Sequence, residues 1–464
     1  MRRLLRMLSL AGAACAGSGV PPAAPVTMAS ATTRVTAYDV DSALGEIFAL
    51  ALWPNFDPRQ TPVAIFDGET TVLFRHPGEP AGYYSLSSRR GVFARPGRDT
   101  LVNSNTSVTL AGVPTATVML RPGDGTSARE WAAVTVHEIF HVFQRSRHPS
   151  WIANEAELFT YPVDDAAALA LRYTETSALR RALAATRRDS LDCWTAAFSR
   201  ARRARFEAIG AAAAAYERGT ELNEGLAQYV QLRALGRPVQ LPSGDFSPEQ
   251  VRARTYQIGA GIGQLLDRAV PAWRDTLEQA SPASHLSLDA LLDRAAGPRA
   301  GASPERRCAE SAADSAAGVE RARADVRGLV ARREQDRAAL LGRPGWRLVV
   351  DADASPLFPQ GFDPLNVSRV SATEVLHTRF LKLGNDRGTI ELLGQAALTE
   401  GRADQHPLFA GVRRVTIPGL SAVTVRDSAG VVLIHAIGLQ ARLRGAATDT
   451  TGTTISVHLP RTRP

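Results

Sequence analysis

Cysteine is scarce in this chain: three residues of 464, at Cys15, Cys193 and Cys308. None has a partner at C-x-x-C or C-x-x-H spacing, which excludes a thiolate zinc site of the finger kind. Cys193 and Cys308 are free to pair in an oxidising compartment, but the sequence does not say how far apart they lie. Long apolar runs are missing too, and beyond the first residues no stretch has the length and apolarity of a membrane span. No internal repeat is visible. The formal net charge is +8, yet arginine-rich segments such as SRARRARFEA (199–208) lack the aromatic interleaving of a nucleic-acid groove. They read as a solvated helix face, and nucleic acid is not an expected partner.

The first residues, MRRLLRMLSLAGAACAGSG, combine a basic start, a short apolar stretch and small residues, as an export signal does. Loss of Arg2, Arg3 and Arg6 with it takes the charge from +8 to +5. The residues before Cys15 loosely resemble a bacterial lipoprotein cleavage site, with Gly12 where Leu is usual. Lipidation at Cys15 is therefore one route to cell-envelope association, and cleavage further on, near PPAAPV, is the favoured alternative. Either way the expected location is extracytoplasmic: secreted, periplasmic or lipid-anchored in a bacterial envelope.

What is present is more specific. TVHEIFHVFQ places His137, Glu138 and His141 in the pattern H-E-x-x-H. Residues four apart share one helix face, so both imidazoles reach one Zn2+ ion with Glu138 beside it as candidate general base. The context predicts a helix. Ser127 and Glu130 make a capping box before Trp131. Ala133, Val134, Ile139, Phe140 and Phe143 supply its apolar side. Upstream, residues 106–120 read as strand, turn, strand, and RPGDGT as a turn.

Catalytic zinc usually has three protein ligands and a water. Glu155, in WIANEAE, and Glu224, in TELNEGLAQY, are the candidates for the third. Glu224 is favoured. ELNEGLAQYVQLRALG reads as a helix with Leu222, Leu226, Tyr229, Val230 and Leu232 on its apolar side, and a second helix crossing the first delivers a carboxylate rigidly. Glu155 lies among Pro149, Pro162, Asp164 and Asp165, which read as a loop and a helix start. Glu221 and Gln228, one turn either side of Glu224, either orient ligands or face water.

HEIFH followed by LNEGLAQY resembles the glutamate-zincin (gluzincin, peptidase MA-like) metallopeptidase superfamily, which includes thermolysin and the M1 aminopeptidases. The resemblance covers about residues 100 to 275. It implies a zincin-like fold, His137, His141 and Glu224 as zinc ligands, and Glu138 as base. TYQIG (255–259) is similar to the Y-x-x-G element of the M1 enzymes, which implies Tyr256 as donor to the tetrahedral intermediate. Two departures stand out. Glu224 lies 83 residues beyond His141, much further than in the M1 enzymes. No G-x-M-E-N stretch precedes the first helix, so the glutamates that hold a peptide amino terminus there have no counterpart.

Around this centre, 39–53 reads as an amphipathic helix and TPVAIFDGETTVLFRH as strand, turn, strand about Asp67-Gly68. Residues 165–217 are strongly helical and lie between the ligands. Residues 247–281 and 305–340 are helical, with 282–304 as a joint. After GRPG (342–345) the pattern shifts to strand-length apolar alternation. The expected class is α+β: a leader at 1–30, a zincin-like metallopeptidase domain at 31–341 with a helical insertion near 160–217, and a β-rich accessory domain at 342–464. His377, His406, His435 and His458 are widely spaced, and no second metal site is assigned to them.

The leading expectation is a secreted zinc metallopeptidase acting on a peptide or protein substrate. Glu138 takes a proton from the attacking water and passes it to the departing amine. One alternative is a zinc hydrolase of non-peptide amides or esters. The other is a noncatalytic binding protein on a zincin scaffold.

Overall fold

The computed structural model describes residues 34–86, 91–121, 123–295, 308, 312–362, 366–403 and 406–460. The expected leader at 1–30, with Cys15, lies outside the described residues. The architecture is α+β: a mixed amino-terminal layer, a large helical block and an extensive β-rich carboxyl-terminal region.

The amino-terminal layer is a helix, α1 (Ala37–Ile47), over a six-stranded sheet. Its strands are β1 (Val63–Phe66), β2 (Thr70–Phe74), β3 (Tyr84–Ser85), β4 (Val92–Pro96), β5 (Thr106–Leu110) and β6 (Val113–Met119). They run in the order β3-β4-β2-β1-β6-β5, with β1 and β6 parallel and every other pair antiparallel. Strand alternation covers both faces. Val63 and Ile65 pack under the helices, while Ala64 turns to a second cluster with Leu73, Tyr83 and Phe93. Helix α2 (Ala128–Arg147) carries the H-E-x-x-H residues, and Ser127 and Glu130 close its capping box. Its Val136, Ile139 and Phe140 are fully buried in the main core, which fixes the direction in which His137 and His141 point.

The helical block follows: α3 (Glu157–Thr160), α4 (Ala166–Ala184), α5 (Arg188–Thr220, broken at Gly210), α6 (Leu226–Leu235), α7 (Val251–Ala269), α8 (Trp273–Glu278), α9 (Leu288–Ala295) and α10 (Ala312–Leu341). Between α5 and α6 the chain winds a π-helical turn, Glu221–Gly225. The helix expected over 221–236 is present, but its first turn is π and it runs on from α5. The expected joint at 282–304 also contains a helix, α9, with Leu288, Leu291 and Leu292 in the main core.

Of the four arginines in 199–208, Arg200 and Arg203 are exposed as expected, but the other two correct the reading of a solvated face. Arg202 and Arg205 do not face solvent; both are 1% exposed. With Arg254 they bind Glu175, Glu217 and Glu221 in a buried ionic network that ties α4, α5, the π turn and α7 together. Paired and hydrogen-bonded charge is the form in which arginine tolerates burial.

The expected partner set is also corrected. The two cysteines among the described residues are bonded to each other, Cys193 of α5 to Cys308, with Cα atoms 5.9 Å apart. Neither is a free thiol that a lipid could modify.

From Trp346 onward two sheets of seven and six strands enclose one apolar core. In Leu439–Arg444, Leu439, Ala441 and Leu443 point in while Gln440, Arg442 and Arg444 point out. This sandwich reaches the helical block through Phe159 on α3, whose ring packs on Phe362 and Phe409 and whose carbonyl accepts a bond from His406 at 3.1 Å.

Candidate metal centre

His137, His141 and Glu224 meet. Their candidate ligand atoms all lie within 4.8 Å of one another, and the three residues are 7–8% exposed. Glu224 Oε2 is 3.1 Å from His141 Nε2 and 3.6 Å from His137 Nε2. A tetrahedral zinc shell with bonds near 2.0–2.1 Å separates its donors by about 3.4 Å, so the cluster has the dimensions of one. Glu138 lies on the same helix, 7% exposed.

The imidazoles are braced from behind. His137 Nδ1 meets Gln231 Oε1 at 3.1 Å, and His141 Nδ1 meets Gln144 Oε1 at 2.8 Å. An amide oxygen only accepts, so both Nδ1 atoms carry a proton and both Nε2 atoms are turned to the centre. The Gln144 orientation is fixed independently, because its Nε2 donates to the carbonyls of Leu222 and Asn223 at 2.8 and 2.9 Å. For His141 this has a consequence. Its Nε2 faces a carboxylate oxygen while its Nδ1 already donates, an arrangement satisfied by an imidazolium or by a cation held between nitrogen and oxygen. The donor set of two imidazoles and a carboxylate suits zinc.

Glu224 is delivered by the π turn, and such turns concentrate at functional sites. Helix α7 crosses it at close range. A Cβ on Gly225 would lie 2.7 Å from Gly259 Cα, and one on Gly259 would lie 2.8 Å from Gly225 Cα. Only glycine at both positions allows this approach. It brings Tyr256, one turn before Gly259, against the cluster: the Tyr256 and His137 rings lie 6.3 Å apart and 17° from parallel.

Burial opposes ionisation of Glu224, but hydrogen bonds and charge from His137 and His141 outweigh it and hold the carboxyl well below the usual range. Burial raises the pKa of Glu138, against the partial opposition of the two histidines. Burial, reinforced by the Glu224 charge, pushes the Tyr256 phenol up, so it remains a donor.

The alternative third ligand, Glu155, does not join the cluster. It lies one layer further out, where Arg252 Nη1 donates to its Oε1 at 2.9 Å and Arg252 Nη2 donates to Glu224 Oε1 at 2.9 Å. Glu221 turns away from the centre to Arg202 at 2.5 Å. The amides that brace the imidazoles are Gln144 and Gln231 rather than Gln228. Helical spacing held their signal: Gln144 follows His141 by three residues, and Gln231 follows Glu224 by two turns. Arg252 carried a weaker one, standing one turn before Tyr256.

The chain matches no protein-family model, no curated protein and no solved structure. The functional reading therefore rests on the site itself.

Proposed function

We propose that this chain is a zinc metallopeptidase that works outside the cytoplasm. The observation that carries the proposal is the buried cluster of His137, His141 and Glu224 with both Nδ1 atoms braced by glutamines. A structural site usually closes its shell with a fourth protein ligand, whereas three ligands leave a position open. Zinc, when bound, supplies Lewis acidity there.

The remaining chemistry falls to the chain's own residues. Glu138 accepts a proton from the attacking water and returns it to the departing amine. Tyr256 donates its O–H to the oxygen on which negative charge develops. The Cys193–Cys308 bond supports the location, because structural disulfides form and persist in oxidising compartments.

Metal analysis and an unbiased peptide library test this reading together. The wild type is expected to hold one zinc per chain, and Glu224→Ala to lose most of it. Glu138→Gln is expected to keep the zinc and the fold but nearly to abolish cleavage, since an amide cannot accept the proton. Full activity in zinc-loaded Glu138→Gln would sink the general-base role. Stoichiometric zinc with no peptide cleaved would favour a non-peptide hydrolase or a binding protein.

A further inference from the structure

Glu224 offers its two oxygens to different partners. Oε2 faces the imidazoles, while Oε1 receives a hydrogen bond from Arg252 at 2.9 Å. Arg252 is itself held in three ways. Its other terminal nitrogen donates to Glu155 at 2.9 Å, its guanidinium lies over the Tyr256 ring at 5.4 Å, and its backbone sits in the first turn of α7. Glu155 is further steadied by the Tyr216 hydroxyl at 3.5 Å. The chain Glu155–Arg252–Glu224 thus crosses from the loop after α2, through α7, to the π turn.

We propose that Arg252 is a positioning residue that makes Glu224 a one-oxygen ligand, with Glu155 as the anchor that holds Arg252 in place. A carboxylate with both oxygens free can take a metal through both, which fills an extra coordination position. Charge-assisted hydrogen bonding to Oε1 removes that option and turns Oε2 toward the imidazoles. The open position needed for water and substrate is then kept open by an arginine that touches neither. The same guanidinium packs on the Tyr256 face, so one side chain sets both the third ligand and the proposed oxyanion donor. This inference rests on the zinc reading above.

The test uses full-length wild type, Arg252→Gln, Arg252→Lys and Glu155→Gln, each shown to be folded by circular dichroism. Zinc affinity is read by chelator competition, and coordination by the visible spectrum of the cobalt-loaded protein. Four-coordinate cobalt absorbs more strongly than five-coordinate cobalt, so the spectrum reports ligand number without any activity measurement.

Wild type is expected to give the intense spectrum. Arg252→Gln is expected to lower it and to weaken zinc binding by about ten-fold or more, the usual scale for loss of an outer partner of a ligand. Arg252→Lys, which restores a single donor, should recover part of both. Glu155→Gln, at a half-exposed carboxylate, should move both in the same direction by less. If the wild type binds stoichiometric zinc while folded Arg252→Gln keeps its affinity and spectrum, the positioning role is overturned and the zinc site stands. Should Arg252→Gln fail to fold, unchanged affinity and spectrum in Glu155→Gln overturn it instead. A wild type that binds no zinc overturns both readings at once.

Discussion

The residues of the centre act as pairs, each side chain set by the one behind it. Gln144 sets the tautomer of His141, Gln231 that of His137, and Arg252 occupies the outer oxygen of Glu224. Tyr256 differs in that its hydroxyl, hydrogen-bonded to Glu224, gains a further task only when charge develops nearby. Its burial keeps the phenol protonated across the working pH range. Tyr256→Phe should therefore retain zinc and lower kcat far more than it raises KM. A strong oxyanion donor is worth about 3 kcal/mol, or about a hundred-fold in rate. Steady-state kinetics on a substrate from the library decide it. Unchanged kcat would return Tyr256 to a packing role beside His137. The cluster of His137, His141 and Glu224 was legible in the sequence because H-E-x-x-H and L-N-E-G are short local patterns with fixed helical spacing. Glu155 against Glu224 was a question of tertiary distance, which the loop's composition answered only indirectly. Arg252 was barely legible: it stands one turn before Tyr256, but its partners lie 28 and 97 residues away.

At the level of elements, the π turn and α7 form the joint that places Glu224 in the cluster. Before α2 some boundaries followed from turn signals and caps, since Asp67-Gly68 separates β1 from β2 and Ser127 starts α2, but α1 ends at Ile47 rather than running to 53. The π turn left no such mark. A π turn differs from an α-helix only in its hydrogen-bond register, and ELNEG has the composition of either. The glycines that permit the crossing were visible, but their meaning was not, because a close backbone approach involves two segments distant in sequence. Gly259→Ala tests the joint. The added methyl would sit 2.8 Å from Gly225 Cα and 3.1 Å from Glu221 Cα, against backbone with little room to give. Overpacking of this kind costs about 1–3 kcal/mol. The variant should unfold at lower denaturant and also bind zinc more weakly, because α7 and the π turn separate. Gly210→Ala is a poor control, since Gly210 has φ 84° and is strained by any side chain. Gly318→Ala on α10, with nothing within 4 Å, serves better. Wild-type zinc affinity in Gly259→Ala would show that the joint does not position Glu224.

The whole molecule joins two apolar cores by different means. The helical block is held by a buried ionic network and by the Cys193–Cys308 bond, which closes a loop of 115 residues. In the chain-entropy account such a loop contributes about 5 kcal/mol. Among its described residues the sandwich has neither. It depends on its apolar core and meets the block both through the Phe159, Phe362, Phe409 and His406 cluster and through α10, where Leu340 packs with Leu376 and Leu398 and Arg337 pairs with Glu374. Its β character was legible from alternation; the network was not, because arginines on an Ala-rich helix look the same whether they face water or partners. Within the sandwich, His377 sets an acid limit. It shares a strand face with Val375 in the core, is fully buried, and directs Nε2 to Thr399 Oγ1 at 3.1 Å, while Nδ1 has no partner. Burial pushes its pKa down to about 4 from the model-peptide 6.5. The unfolded chain therefore binds a proton between these values that the folded chain refuses. The resulting stability is fully present above pH 6.5 and is lost as pH falls toward 4, at about 1.4 kcal/mol per unit. His377→Leu removes the titration and keeps an apolar side chain in place. Urea unfolding at pH 7.5 and pH 5, followed by a probe of β structure, should show a smaller acid loss in the variant than in the wild type. Equal losses would place the acid sensitivity elsewhere, with His406, whose pKa burial also lowers from the usual imidazole value, as the first group to examine.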